Sequence, residues 1–116
     1  MPKSKKISVT FPVFDKSREK QFSKYFKAFS DQSRLRIVIL LANKELTVGE
    51  IVKAMDISQP TVSRHLAVLR QADIVVDRRE GQKVYYSLNK KAVGGCCYGF
   101  CECLEIKIKP EKKVKK

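Results

Sequence analysis

The chain's four cysteines, Cys96, Cys97, Cys101 and Cys103, stand together in the stretch CCYGFCECL. Clustered thiolates select soft ions. Trivalent arsenic or antimony takes three sulfurs in a pyramid, whereas cadmium, lead or zinc takes three or four. Neighbouring thiols can also oxidise to a disulfide as a redox switch, hold a constitutive structural zinc, or stay inert. The CCxxxCxC spacing lacks the paired C-x2-C usual for structural zinc. On a regular helix Cys97 and Cys101 share one face and Cys96 and Cys103 another, so they meet on one ion only if the helix breaks. Gly94, Gly95 and Gly99 are poor helix formers, which predicts irregular backbone from 94 to 99. Cys96, Cys97 and one of Cys101 or Cys103 would then close on the ion.

What positions these thiols must fit in 116 residues, enough for one domain with a single small core. Apolar residues make up 43%, so the chain folds, and 25 Lys and Arg against 12 Asp and Glu leave a net charge of +13. Such a charge opposes compaction and points to a polyanionic partner, with nucleic acid ahead of a membrane surface. No stretch approaches the ~18 apolar residues of a membrane span. MPKSKKISVTFPVF lacks the apolar run of a signal peptide, so a cytoplasmic location is expected, where cysteines are ligands or redox groups.

The periodicity supplies the elements. Residues 1–15 read as a flexible basic arm. From Lys16 the pattern is helical, with Phe22, Tyr25, Phe26 and Phe29 on one face. That aromatic stripe suits a helix shared with a second subunit as well as one covering its own core. LRIVILLA, Leu35 to Ala42, is apolar nearly all round and is expected to be buried. Thr47 caps a short helix whose Val48, Ile51, Val52 and Met55 share a face. Asp56-Ile57-Ser58 is a tight turn, Ser58 the next N-cap, and Pro60 sits in the first turn of a helix over 59–72. Two alternating runs, 74–79 and 83–88, flank Glu80-Gly81-Gln82 and read as a hairpin. A cysteine-rich segment, 94–106, and a lysine-rich tail, 107–116, follow.

Two short helices on a tight turn, followed by a basic ribbon, make a winged helix-turn-helix over 16–93. The fold class expected is mainly α with a small β-hairpin wing. A helix entering the major groove needs short hydrogen-bonding side chains near its N-terminus. Gln59 suits adenine N6 and N7, Arg64 suits guanine O6 and N7, and Thr61 and Ser63 suit bases or phosphates. Arg78, Arg79 and Lys83 near the hairpin tip suit phosphates or the minor groove. His65, the one histidine, lies beside Val62, Leu66 and Leu69 and reads as a packing or phosphate-contacting residue.

FSDQSRLRIVILL, SQPTVSRHLAVLR and RREGQKVYYSL closely resemble the ArsR/SmtB family of winged-helix repressors, from about Phe26 to Leu88. The resemblance implies a homodimer on a palindromic operator in double-stranded DNA, released when a metal or other inducer binds. It also implies that the recognition-helix and wing residues above touch DNA. The family's inducer sites differ in place. An ELCVCDL-type thiol site is lost here, because ELTVGEI puts Thr47 and Gly49 where the thiols would be. The histidine-rich site of the last helix is lost too. Persulfide-sensing relatives pair a thiol in the second helix with one in the last, and LRIVILLA has none. What remains is the C-terminal cluster, where some arsenic-responsive relatives carry vicinal thiols. The inducer expected is thus a soft metal or metalloid ion, with As(III) or Sb(III) favoured over cadmium, lead or zinc. A redox or persulfide trigger on the same scaffold is the alternative. A thiol–disulfide enzyme on Cys101-Glu102-Cys103 is disfavoured, since Glu102 opposes a low thiol pKa and the reading leaves the helix-turn-helix unexplained.

Overall fold

The computed structural model describes residues 15–107. The expected arm and lysine-rich tail lie outside them, apart from Asp15 and Lys107. Helix α1, Lys16–Phe29, starts where the Asp15 carboxylate accepts from the Ser17 and Arg18 N–H groups. Asp31 opens α2, Gln32–Leu40, in the same way. Strand β1, Leu46–Thr47, leads into α3, Val48–Met55; Asp56, in the left-handed region at φ 57°, ends α3. Ser58 accepts from the Thr61 N–H to start α4, Gln59–Gln71. Strands β2, Val75–Glu80, and β3, Lys83–Leu88, form the wing, and Asn89 caps α5, Lys90–Cys103.

The sheet is antiparallel in the order β1-β3-β2. The wing turns over two residues, Gly81-Gln82, with Gly81 at φ 63°, a conformation that glycine adopts without steric cost. The third strand was not anticipated: a two-residue strand carries no readable alternation.

The core gathers one face from each helix: Tyr25, Ile37, Leu41, Ile51, Val62, Leu66 and Leu69, with Ile74 and Val75 from the entry to the wing. Two expectations fail. α2 is not buried all round: Leu35 and Ile39 are 41% and 69% exposed. A short helix packed on α1, α3 and α4 has only one covered side, whatever its composition. The backbone from 94 to 99 is not irregular either. α5 runs unbroken through Gly94, Gly95 and Gly99, across the segment boundary expected at 93/94.

The Thr47 side chain accepts from the Glu50 N–H at 3.2 Å, and the Glu50 carboxylate accepts from the Thr47 N–H at 2.9 Å. This capping box holds the Glu50 carboxyl below its ordinary value of 4.5, chiefly through the Thr47 N–H. A lowered folded pKa means stabilisation present above the unfolded value and lost as pH falls through the folded one. Glu50→Ala is therefore expected to melt at a lower temperature than the parent near neutral pH. The gap should close in acid, and thermal melts across that range check it. A gap independent of pH would show that the charge contributes nothing.

Candidate nucleic-acid interface and thiol segment

Burying Val62, Leu66 and Leu69 on the inner face of α4 turns Gln59, Ser63 and Arg64 outward, and all three are exposed. Thr61 is half-buried, its hydroxyl 2.9 Å from Ser58 Oγ, so it serves the helix cap. Among the described residues Arg64, Arg79 and Lys83 form no ion pair, which leaves their charges available to a polyanion. His65 is half-buried, with its Nδ1 3.4 Å from Arg34 Nη1. Arg34 also donates to the Ala28 carbonyl at 2.8 Å and so ties the end of α1 to α4. That places His65 in packing.

The three tip residues separate. In an antiparallel sheet, residues opposite one another project to the same face. Arg79 lies opposite Val84, on the face shared by Asp77, Tyr86 and Leu46. Leu46 is buried and Asp77 bonds Arg70 of α4 at 3.1 Å, so this face turns toward the core and α4. Arg78 lies opposite Tyr85 on the other face. Its guanidinium grips Glu45 with two hydrogen bonds, 3.2 and 2.7 Å, and Glu80 with a third, 2.8 Å. It sits 4.9 Å above the Tyr85 ring. Glu45, then Glu80, hold Arg78 more firmly charged than an ordinary arginine, and Arg78 lowers the Glu45 carboxyl in turn. This clasp was not read in the sequence, because Glu45 and Arg78 meet only through the register of the sheet.

The thiols ride on α5, none of whose residues is fully buried. It lies against α1: Phe100 packs edge-on between Phe22 and Phe26, at 5.3 and 4.8 Å between ring centroids. Arg18 donates to the Gly99 carbonyl at 3.3 Å. A β-carbon at residue 99 would come within 3.0 Å of the Arg18 guanidinium, so glycine there allows this approach. The aromatic stripe of α1 is thus divided. Tyr25 is 1% exposed and pairs with Phe29 over the chain's own core. Phe22 and Phe26 face α5, because at helical spacing the four rings spread over roughly 100° of arc.

All four cysteines are free. Cys96 is half-buried and lines a cleft of about 350 Å³ between α1 and α5, together with Arg18, Tyr25, Asp73 and Gly95. Burial, then the neighbouring Cys97, pushes the Cys96 thiol up. Cys97 and Cys103 are exposed and Cys101 is half-buried. With the helix intact, Cys97 and Cys101 lie about 40° apart and Cys96 and Cys103 about 20°, on separate sides. Among the described residues no group of three or more Cys, His, Asp or Glu side chains is brought together as a metal site. Along the intact helix the described residues thus bring no three thiols together.

The profile described as "Bacterial regulatory protein, arsR family" matches residues 31–76, from the start of α2 into the wing. The transcriptional repressor SdpR of Bacillus subtilis is 47% identical over 64 residues, which cover 55% of this chain and 71% of that protein. The chain belongs to the ArsR family. The arsenic resistance transcriptional regulator ArsR1 of Pseudomonas putida is 51% identical over 65 residues, and the chain spans only about half of it, 51%. Among solved structures, the homodimeric winged helix-turn-helix DNA-binding domain of Mb0332 from Mycobacterium bovis superposes with a TM-score of 0.65 at 28% identity. The match covers 78% of this chain and 82% of that one. As a member of the ArsR family the chain is a transcriptional regulator with a DNA-binding winged helix, not an enzyme. Among the described residues no helix is long and apolar enough to cross a membrane.

Proposed function

We propose that this regulator is a cytoplasmic homodimeric repressor that leaves a palindromic operator when a soft metal or metalloid ion binds its α5 thiolates. The observation that carries the reading is four free thiols on a glycine-bearing helix laid against α1, in a chain whose α4 and wing expose cations that form no ion pair among the described residues. Gln59, Thr61, Ser63 and Arg64 read bases and phosphates in the major groove. Arg79, Lys83 and Arg78 serve the wing. A second copy covers Phe26, Tyr98, Leu104 and Ile106, which are 47–54% exposed on α1 and the end of α5. A sensing helix that lies beside such an interface can alter how the two α4 helices are spaced. The Mycobacterium relative is homodimeric, which supports a dimer here.

The donor set fits a soft ion in kind, and trivalent arsenic or antimony is favoured over cadmium, lead or zinc. ArsR1 of Pseudomonas is an arsenic regulator by name. In arrangement, a straight α5 offers two thiols on a side, so a third sulfur requires local unwinding or the partner subunit. Unwinding is cheap here: each interior glycine weakens a helix by about 1 kcal/mol relative to alanine, and Gly94, Gly95 and Gly99 all lie inside α5. Bound, the ion would supply a cross-link that fixes α5 in a second geometry. The pairing of Cys97 with Cys101 favours one other reading, a two-thiol redox or persulfide switch on the same fold.

The test is release of a labelled duplex, followed by anisotropy at fixed salt. The duplex is enriched by the protein from a randomised pool. Arsenite, antimonite, cadmium, lead, zinc, an oxidant and a persulfide donor are titrated in parallel. A soft ion is expected to weaken binding by ~1–3 kcal/mol, several-fold to about a hundredfold. Cys96→Ser with Cys97→Ser should bind the duplex as well as the parent and keep it when the ion is added. If that variant still releases, Cys96 and Cys97 are not the sensing pair. Release by oxidant or persulfide alone selects the redox reading.

A further inference from the structure

Glu45 lies just ahead of β1, outside the recognition helix and the wing, yet it makes the shortest polar contact on Arg78. Its two oxygens meet two guanidinium nitrogens side by side at 3.2 and 2.7 Å, the fork geometry with which arginine also grips a phosphate. We propose that Glu45 sets the DNA affinity of this regulator by standing in for a DNA phosphate on Arg78, which exchanges the carboxylate for a phosphate when the wing engages the duplex. This rests on the reading that α4 and the wing bind DNA.

Three features carry it. First, the clasp is wet. The side chains of Arg78, Glu45 and Glu80 are 49%, 40% and 66% exposed, and ion pairs so exposed hold weakly and exchange readily. Second, the wing carries one arginine per face, Arg79 toward α4 and Arg78 away from it. The minor groove is only about 6 Å wide, so a ribbon tip entering it has a phosphate strand on either side, one for each arginine. Third, the charge sum is unequal. Arg79 forms no ion pair among the described residues, while Arg78 faces two carboxylates, a local sum of one negative charge that repels a phosphate until Glu45 swings away and leaves the site neutral. Tyr85 beneath the guanidinium keeps it near the sheet surface during the exchange.

The experiment compares the parent, Glu45→Gln, Arg78→Ala and the double variant on one fixed mixed-sequence duplex over a series of salt concentrations. Glutamine can still accept one hydrogen bond but carries no charge. Glu45→Gln is expected to tighten binding roughly three- to tenfold at low salt and to steepen the log K against log salt slope by about 0.9, one phosphate contact. In the Arg78→Ala background the same change should give no gain. Glu80→Gln, at a residue that makes one bond to Arg78 where Glu45 makes two, should shift binding the same way by less, and it decides the matter if Glu45→Gln folds poorly. Unchanged or weaker binding by Glu45→Gln would overturn the proposal and make Glu45 a brace for the wing. A gain that survives without Arg78 would overturn it in favour of general charge repulsion. A parent protein that binds no duplex at any salt would remove the DNA-binding reading itself.

Discussion

Arg64→Ala is expected to lose about 1–3 kcal/mol of operator binding, roughly fivefold to more than a hundredfold, concentrated at one base pair. Arg34 is engaged by the Ala28 carbonyl and Arg70 by Asp77, and Arg78 and Arg79 sit on the wing and not on α4. Arg64 is exposed on the outer face of α4, within two turns of its N-terminus, and has no ion pair among the described residues. Guanine is the base that an arginine fork addresses with two bonds, and replacing it at that position should cost the parent what the variant has already lost. Titrations of both proteins against single-base variants of an enriched duplex, at fixed salt, check this. A loss equal on every duplex, with a salt slope shallower by about one, would make Arg64 a phosphate contact instead.

Leu66→Ala should destabilise the folded protein by about 2–5 kcal/mol, because Leu66 is 2% exposed and packs among the core residues beneath the recognition face. The deletion removes apolar contacts and leaves a cavity that α2 and α3 can close only in part. For a domain whose total stability is of order 5–15 kcal/mol, this is a large share. Urea unfolding at fixed protein concentration measures it, the concentration being held because the proposed dimerisation would make stability depend on it. The midpoint should fall with little change in slope. Folded Leu66→Ala should still bind DNA at low temperature, since nothing on the outer face of α4 has changed. A variant as stable as the parent would mean that the core around α4 repacks freely.

What the sequence determined by itself were the local elements and the outward face of α4. Asp31, Thr47 and Ser58 are capping residues whose side chains act within three residues, so they could be read without the fold. The alternation of 83–88 and the glycine at 81 similarly announced a hairpin. The clustering of all four thiols was plain in the chain, and so was the family resemblance. Tertiary structure alone decided the rest. Three glycines argued for a break near 94–99, but Phe100 wedged between Phe22 and Phe26, and Arg18 on the Gly99 carbonyl, accompany a continuous helix there. Propensity is worth about a kilocalorie per residue, so a few long-range contacts override it. The stripe of α1 looked like one surface and is two, because which edge meets the core depends on where α5 lies. Leu35 and Ile39 looked buried by composition, yet a helix has only as much cover as its neighbours supply. Glu45 and Arg78 are far apart along the chain and meet only because β1 pairs with β3 and β3 with β2. Local rules reach about one helical turn or one hairpin, and contacts across a sheet or between helices lie beyond that reach.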